Sequence, residues 1–337
     1  MTRTAMRGFA HLSSHFCAHL CAYLCVLIGA LTISSAAAET YPDKSVRIVV
    51  PSAAGGGVDV LARMIAHELA GIFNQPFFIE NKQDASGIVG PQTVVGSKPD
   101  GYTLLFSAST LTIMSHLLPS MPFDPENDLV PITEVAKSPF VLCVNPNIGI
   151  NTFAELVRYA KSKPGALRVG AANIGSPDHL ALELLEQQAE IEVLSVPFKG
   201  GAPAMQAAMA GTVDIVMLPP VLIKGQVESG KLKALGTTST VTLETMPSVP
   251  PIANLGVPGY EFYSWYGFWG PKGMPQDRVD EIQKATAKVL ASPEIKRRFA
   301  ELGLIAVGSN AAALRALVKS ETTRYGALIK ERKLLQK

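Results

Sequence analysis

The chain has 337 residues, which is enough for two domains of ordinary size. Hydrophobic residues make up 47% of it, a share that excludes an intrinsically disordered polypeptide. Charged residues make up only 17%, below the roughly 25% of typical soluble domains, and the formal net charge is +2. The apolar excess therefore lies either in a membrane segment or in a large core under a lightly charged surface.

The N-terminal segment accounts for part of this excess. Residues 8–38 contain no Asp, Glu, Lys or Arg and follow Arg3 and Arg7. An apolar run at 20–33 is followed by Ser and Ala residues that end at Ala38. This order is typical of a secretory signal peptide, and the run is shorter than the roughly 20 residues that span a bilayer. The sequence predicts a signal peptide over 1–38, with a retained N-terminal anchor as the alternative.

Cleavage after Ala38 changes the charge and the cysteine count. The segment holds two of the 30 basic residues and none of the 28 acidic residues, so the remaining chain is formally neutral. Neutrality argues against nucleic acid as a partner, because its binding needs a concentrated basic surface. Only Cys143 remains, in an apolar run, and we expect a buried, inert thiol. No His or Cys cluster has metal-ligand spacing, so no metal and no cofactor are predicted.

Short β-rich runs alternate with amphipathic stretches along the rest of the chain. This pattern predicts parallel sheets with helices on both faces. Thr152 and Glu155 have the spacing of a capping box at the start of one helix. The predicted strands are 46–50, 77–80, 102–107, 167–171, 192–197, 213–218, 232–237 and an aromatic segment at 262–270. The predicted helices are 59–72, 86–97, 152–164, 177–188, 202–210, 222–229, 277–291, 293–302 and 310–333.

Five loops that follow predicted strands are candidates for a ligand site, because ligands of open α/β sheets bind beyond the carboxyl ends of the strands. These loops are 51–59, 106–112, 171–179, 197–202 and 218–220. Gly, Ser and Thr are common in them, and they predict a cleft in which backbone amides, hydroxyls and water hold a carboxylate. Each loop is also compatible with an ordinary capped turn. No nucleophile–base–acid trio is visible, which disfavours catalysis.

Nearly the whole mature chain resembles one receptor family. The segments that carry the resemblance include YPDKSVRIVVPSAAGGGVDVLAR (41–63), PDGYTLLFSAS (99–109), KPGALRVGAANIGSPDHLALE (163–183), VPFKGGAPAMQAAMAGTVDIV (196–216) and WYGFWGPKGMP (265–275). They are similar to the Bug family, also called the tripartite tricarboxylate transporter substrate-binding (TctC) family. The resemblance implies an α/β, type II periplasmic-binding-protein fold, in which two lobes close on a ligand.

The resemblance also implies domain limits and site residues. The first lobe is expected at 39–144 plus 265–337, and the second at 145–264. The loop at 51–59 lacks two prolines of the family pattern, where Ala53 and Ala54 stand, and Phe198 replaces a family tyrosine. Both changes bear on ligand preference. The expected ligand-binding residues are Ala54, Gly55, Gly56, Gly57, Asp59, Ser107, Ser109, Thr110, Asn173, Ser176, His179, Lys199, Gly200, Gly201 and Leu218.

The function implied is that of a non-catalytic periplasmic receptor. It is expected to be a monomer that captures a small organic acid and delivers it to the permease subunits of a tripartite tricarboxylate transporter. One alternative is a receptor that signals to a membrane sensor. Another is a secreted α/β hydrolytic enzyme, which would need His179, Asp178 or Asp59 as a base.

Overall fold

The computed structural model describes residues 41–84, 87–118 and 120–334. The predicted signal peptide over 1–38 lies outside these residues. The chain divides into a unit Met1–Asp43, of which residues 41–43 are described, and a unit Lys44–Lys337 that holds both sheets. Among the helices of the described part, none combines the length and the apolar character that a membrane span needs.

The strands and helices follow the predicted order closely. The strands are β1 (Val46–Val50), β2 (Phe77–Asn81), β3 (Thr103–Ala108), β4 (Leu129–Pro139), β5 (Val141–Val144), β6 (Arg168–Ala171), β7 (Leu194–Pro197), β8 (Ile215–Leu218), β9 (Lys233–Thr237), β10 (Tyr263–Pro271) and β11 (Ile305–Ala306). The helices are α1 (Gly57–Phe73), α2 (Val89–Val95), α3 (Thr110–Leu117), α4 (Phe153–Ser162), α5 (Pro177–Ala189), α6 (Gly201–Met209), α7 (Pro220–Glu228), α8 (Gln276–Ala291), α9 (Pro293–Glu301) and α10 (Ala311–Glu331). Every predicted strand and helix is present, with ends shifted by a few residues. The sequence pattern missed β4, β5, β11 and α3.

The first sheet has the strand order β11-β4-β10-β3-β1-β2 in the described residues. Of its four predicted strands, β1, β2 and β3 are parallel, as expected, but β10 runs antiparallel to β3 and β4. The sheet is therefore mixed, which the β-α-β pattern alone did not indicate. The strand β1 is almost completely buried because it lies between two neighbours and under helices, which fits its β-branched sequence VRIVV. One face packs through Val49, Leu105, Trp265 and Trp269 against α2, α3 and α10.

The second sheet has the order β7-β6-β8-β5-β9, with β6 parallel to β7 and β8. The strand β5 runs antiparallel to β8 and carries Cys143, whose side chain is buried. Burial raises the pKa of that thiol, as expected of a cysteine that packs rather than reacts. The helix α4 begins with the predicted capping box, in which Glu155 N donates to Thr152 Oγ1 over 3.2 Å.

The chain crosses between the two sheets twice, and Thr238 holds the two crossings together. It leaves the first sheet between Pro139 and Val141 and returns before Tyr263, so the predicted lobe limits lie a few residues further along the chain. The buried Thr238 hydroxyl accepts from Phe140 N over 2.9 Å and donates to Phe262 O over 2.5 Å. One side chain thus satisfies a backbone group on each crossing segment.

Replacing the Thr238 hydroxyl tests whether it holds the two crossing segments together. We expect Thr238→Val to lower the free energy of unfolding by about 2 kcal/mol, because it leaves a buried amide and a buried carbonyl without a partner. Urea denaturation of the mature chain measures the change, with the exposed Thr212→Val as the control. Equal stability of the two variants would contradict this account of the crossing.

Candidate functional site

The topology brings the candidate loops to two sheet edges. Because β1 and β3 are parallel neighbours, their carboxyl ends lie side by side, and α1 and α3 begin just beyond them. In the second sheet the neighbours β7, β6 and β8 end together in the same way. Two contacts join the edges: the Leu117 side chain at the end of α3 lies against Gly175, and Pro220 at the start of α7 lies against Gly303. The two sets of loops therefore face a common space.

A buried carboxylate shapes the loop between β1 and α1. Asp59 is 1% exposed, and it accepts hydrogen bonds from Gly55 N at 2.8 Å, Asn81 Nδ2 at 2.8 Å and Arg63 Nε at 2.9 Å. Burial raises its pKa, but these hydrogen bonds outweigh the burial, and the pKa falls from 3.8 to about 2. Gly56, not Asp59, is the N-cap of α1. Asp59 therefore holds the loop from its buried side, and both of its carboxylate oxygens already accept hydrogen bonds.

The hydrogen bonds of this loop decide which amides remain as donors. Gly55 N is taken by Asp59, and Gly56 N donates to Ala53 O over 3.1 Å. A helix leaves its first N–H groups without partners inside the helix, and in α1 these begin at Gly57 and Val58. Of the predicted residues here, the exposed Ala54 and Gly57 stay available to a ligand.

The segment after β3 is a helix start and not the predicted open loop. Ser107 and Ser109 are buried, and Ser109 N donates to Trp265 O over 2.9 Å. The Ser109 hydroxyl lies 3.2 Å from that of Ser264. Thr110 is exposed and is the first residue of α3. Of the three predicted residues, Thr110 is thus open to the cleft, while Ser107 and Ser109 fix the helix start to β10.

In the second lobe, the loop between β6 and α5 is closed by its own hydrogen bonds. Asp178 Oδ2 accepts from Ala172 N over 2.7 Å, and the Ser176 hydroxyl donates to Asn173 O over 2.7 Å. His179 is 1% exposed, and its Nδ1 accepts from Gly175 N over 3.2 Å. Asp178 and His179 therefore act on the loop backbone, while Asn173 is exposed and Ser176 half-buried at the surface of the loop.

The next two loops of the second lobe contribute mainly apolar and backbone surface. Gly200 N donates to Ala172 O over 2.9 Å, so this predicted donor is already used within the lobe. Gly201 is the first residue of α6 and packs against Leu218 and Leu222. Leu218 is buried, and Lys199 is exposed at the rim.

The fifteen predicted residues thus divide by position. Exposed or half-buried at the loop surfaces are ten: Ala54, Gly55, Gly56, Gly57, Thr110, Asn173, Ser176, Lys199, Gly200 and Gly201. Buried beneath the loops are Asp59, Ser107, Ser109, His179 and Leu218. Sequence reasoning missed Asn81, which bonds both Asp59 and Ser52 O; its only signal was its place at the carboxyl end of β2. In the part of the chain that the structure describes, no His, Cys, Asp or Glu cluster is suited to a metal ion.

Comparison with known proteins identifies the family. The model of the tripartite tricarboxylate transporter family receptor matches residues 61–334. The chain belongs to this family of receptors. A curated relative, Protein BugT of Bordetella pertussis, is 31% identical over 87% of this chain and 91% of its own length. Receptors of this family are solute-binding proteins, which excludes the hydrolase alternative.

Solved structures of similar receptors confirm the predicted fold class. An R. palustris protein solved with adipate is 30% identical, with a TM-score of 0.75 over 86% of this chain and 97% of that one. MatC from Rhodopseudomonas palustris, solved with bound malate, is 28% identical, with a TM-score of 0.72 over 86% of this chain and 100% of that one. The chain therefore has the two α/β lobes of a periplasmic binding protein.

Gly175 tests the contact between the lobes. Its φ is +77°, and a β-carbon there would overlap Leu117 Cδ1. We expect Gly175→Ala to cost about 1–2 kcal/mol from the backbone conformation and more from the contact. Gly230→Ala is the matched control, because its φ is +70° and a β-carbon would meet nothing within 4 Å. Thermal unfolding should show the larger loss in Gly175→Ala, and adding Leu117→Ala should shrink the difference.

The low pKa of Asp59 predicts a pH dependence of stability. Because the folded pKa of about 2 lies below the ordinary 3.8, ionised Asp59 stabilises the fold above pH 4, and this contribution disappears as pH falls through 2. We expect Asp59→Asn to be less stable than the wild type at pH 7 and the gap to close towards pH 2. The control is Asp277→Asn, an exposed acidic residue in the first turn of α8. A gap that stays constant with pH would contradict the role of Asp59.

Proposed function

We propose that this protein is a periplasmic receptor that captures a small organic carboxylate between its two lobes and delivers it to a tripartite tricarboxylate-type membrane transporter. The observation that carries the proposal is the pair of helix starts at the edge of the first sheet. The helices α1 and α3 follow strands that are parallel neighbours, and neither loop carries a basic residue between its strand and the first helical turn. Family membership supports delivery to the transporter.

Unpaired amides at these helix starts suit an anion. Each helix N-terminus carries roughly half a positive charge and several N–H groups that no helical carbonyl accepts. Two such ends next to each other provide donors from Gly57, Val58 and Thr110 without the cost of burying an arginine. We therefore assign the first carboxylate of the ligand to this place, and similar receptors solved with adipate and malate support an organic acid as the ligand.

The second lobe supplies the opposing surface. Asn173, Ser176 and Lys199 are its accessible polar residues among the predicted set, next to the apolar side chains of Phe198 and Leu222. In this proposal the ligand touches both lobes only when they approach each other, and so it shifts the population towards the closed state. The sequence predicts the lobes at 39–144 plus 265–337 and at 145–264, and the chain crosses between the sheets a few residues before these limits, where Thr238 joins the two crossings.

The same proposal assigns the remaining predicted residues to support. Asp59, Ser109 and His179 hold the loops in shape through hydrogen bonds to backbone groups, and they do not themselves touch the ligand. The N-terminal 38 residues serve as a signal peptide that directs the chain to the periplasm.

A thermal-shift screen of the mature chain tests the ligand class. The panel contains mono-, di- and tricarboxylates, with neutral sugars and divalent metal ions as controls. A carboxylate at a free concentration of one hundred times its Kd should raise the free energy of unfolding by about 2.7 kcal/mol. Stabilisation by sugars or metals and by no carboxylate would refute the proposal.

A pair of variants on α1 tests the place of the anion. Neither Gly57 nor Gly71 has anything within 4 Å of a built β-carbon, so an aspartate fits at both. We expect Gly57→Asp to abolish carboxylate binding by repulsion while the stability stays unchanged or rises, because an acid favours a helix N-terminus. Gly71→Asp, in the last turn of the same helix, should bind as the wild type does. Calorimetric titration with the carboxylate that stabilises the wild type most in the screen measures the Kd of both variants.

A further inference from the structure

A chain of buried hydrogen bonds runs from the second-lobe loop to the C-terminal helix. It begins at His179, whose Nδ1 accepts the Gly175 amide over 3.2 Å. Since Nδ1 is an acceptor, the hydrogen of the neutral ring is on Nε2, which lies 3.2 Å from Glu183 Oε1. The orientation of the ring is therefore set from both sides.

The chain continues from Glu183 into an arginine of another element. Arg332 donates through Nε to Glu183 Oε2 and through Nη2 to Glu186 Oε2. Glu186 Oε1 in turn accepts from Val193 N over 2.6 Å. Both glutamates are buried, at 6% and 3% exposure, and the half-buried Arg332 bridges them.

Arg332 directly follows α10, a helix that packs on both sheets. Leu314 and Val318 near its start lie on the face of the first sheet that holds Trp265. Tyr325, Leu328 and Ile329 near its end lie in the core of the second sheet. The neighbouring Glu331 accepts a hydrogen bond from Gln187 of α5 over 2.8 Å. The end of α10 is thus hydrogen-bonded to α5, the helix whose His179 accepts from the loop backbone.

We propose that Glu183 and Arg332 are positioning residues for ligand binding, which hold His179 so that its Nδ1 accepts the Gly175 amide and thereby fix the loop between β6 and α5. This inference rests on the proposed function, because it takes that loop as part of the ligand site. It also makes the loop geometry depend on how the end of α10 packs against α5.

The geometry of the ring explains why the arginine matters. Without Arg332, Glu183 Oε2 loses its donor, and the carboxylate is no longer held where Oε1 accepts from His179 Nε2. The ring is then free to turn, and Nδ1 moves away from the Gly175 amide. The loop loses the hydrogen bond at Gly175, whose φ is +77°.

The variants separate this role from general stability. Arg332→Ala removes the cation, Arg332→Lys restores a charge without the two-pronged geometry, and Lys330→Ala removes an exposed charge from the same helix as the matched control. His179→Asn keeps an acceptor near Gly175 but breaks the link to Glu183. Adding Arg332→Ala to His179→Asn completes a double-mutant cycle.

Two measurements on the mature chain are combined. Long-range ¹H–¹⁵N NMR reports which ring nitrogen of His179 is protonated, and hydrogen exchange reports the protection of the Gly175 amide. Calorimetric titration with adipate, malate and the other acids of the screen reports Kd. We expect Arg332→Ala to leave the ring without a single fixed Nε2–H tautomer, to reduce protection of Gly175 and to weaken binding roughly tenfold, with Arg332→Lys intermediate and Lys330→Ala unchanged.

The outcomes distinguish the inference from the function it rests on. In the His179→Asn background we expect Arg332→Ala to change Kd no further, because the link is already broken. If the wild type binds carboxylates, and Arg332→Ala leaves Kd, ring protonation and Gly175 protection unchanged, the inference is overturned and the proposed function stands. If the wild type binds no carboxylate, the proposed function fails and the ligand role of the relay fails with it, while the NMR arm still decides whether Arg332 positions His179.

Discussion

Parallel pairing of β1 with β3, and of β6 with β7 and β8, is the constraint on which the rest of the structure depends. Parallel neighbours end at the same edge, so each sheet gathers its strand-to-helix connections on one side. Contacts of Leu117 with Gly175 and of Pro220 with Gly303 set these two edges against each other. The cleft is therefore a consequence of strand direction, and the side chains only refine it.

Within each edge, buried polar side chains determine which backbone amides are free. Asp59 takes the Gly55 amide in the first lobe, while Asp178 and His179 take the amides of Ala172 and Gly175 in the second. An unpaired buried amide costs about as much as a lost hydrogen bond, so these side chains stabilise loop shapes that other residues could not hold. The donors left for an anion are then those that helix geometry itself leaves unpaired.

The two lobes are joined at two places. The first is where the two crossing segments meet, and the second is at the end of the chain. Thr238 links the two crossings, and Arg332 attaches the C-terminal helix to Glu183 and Glu186 of α5. The first joint is made of neutral hydrogen bonds close to the backbone. The second is an ion-pair network, and His179 connects its Glu183 to the Gly175 amide.

The sequence by itself determined the order of the strands and helices, the capping box at Thr152 and the five loops at which a site could form, because periodicity and turn residues are local signals. It also carried the resemblance that fixed the family and the fold. Only the tertiary structure decided that Asp59, Ser109 and His179 lie beneath the loops, and that Gly57 and Thr110 remain open. It alone brought Asn81 to Asp59 and Arg332 to Glu183. The reason is that a pattern tells what a side chain is and where its backbone turns, whereas its partners come from segments that only folding brings together.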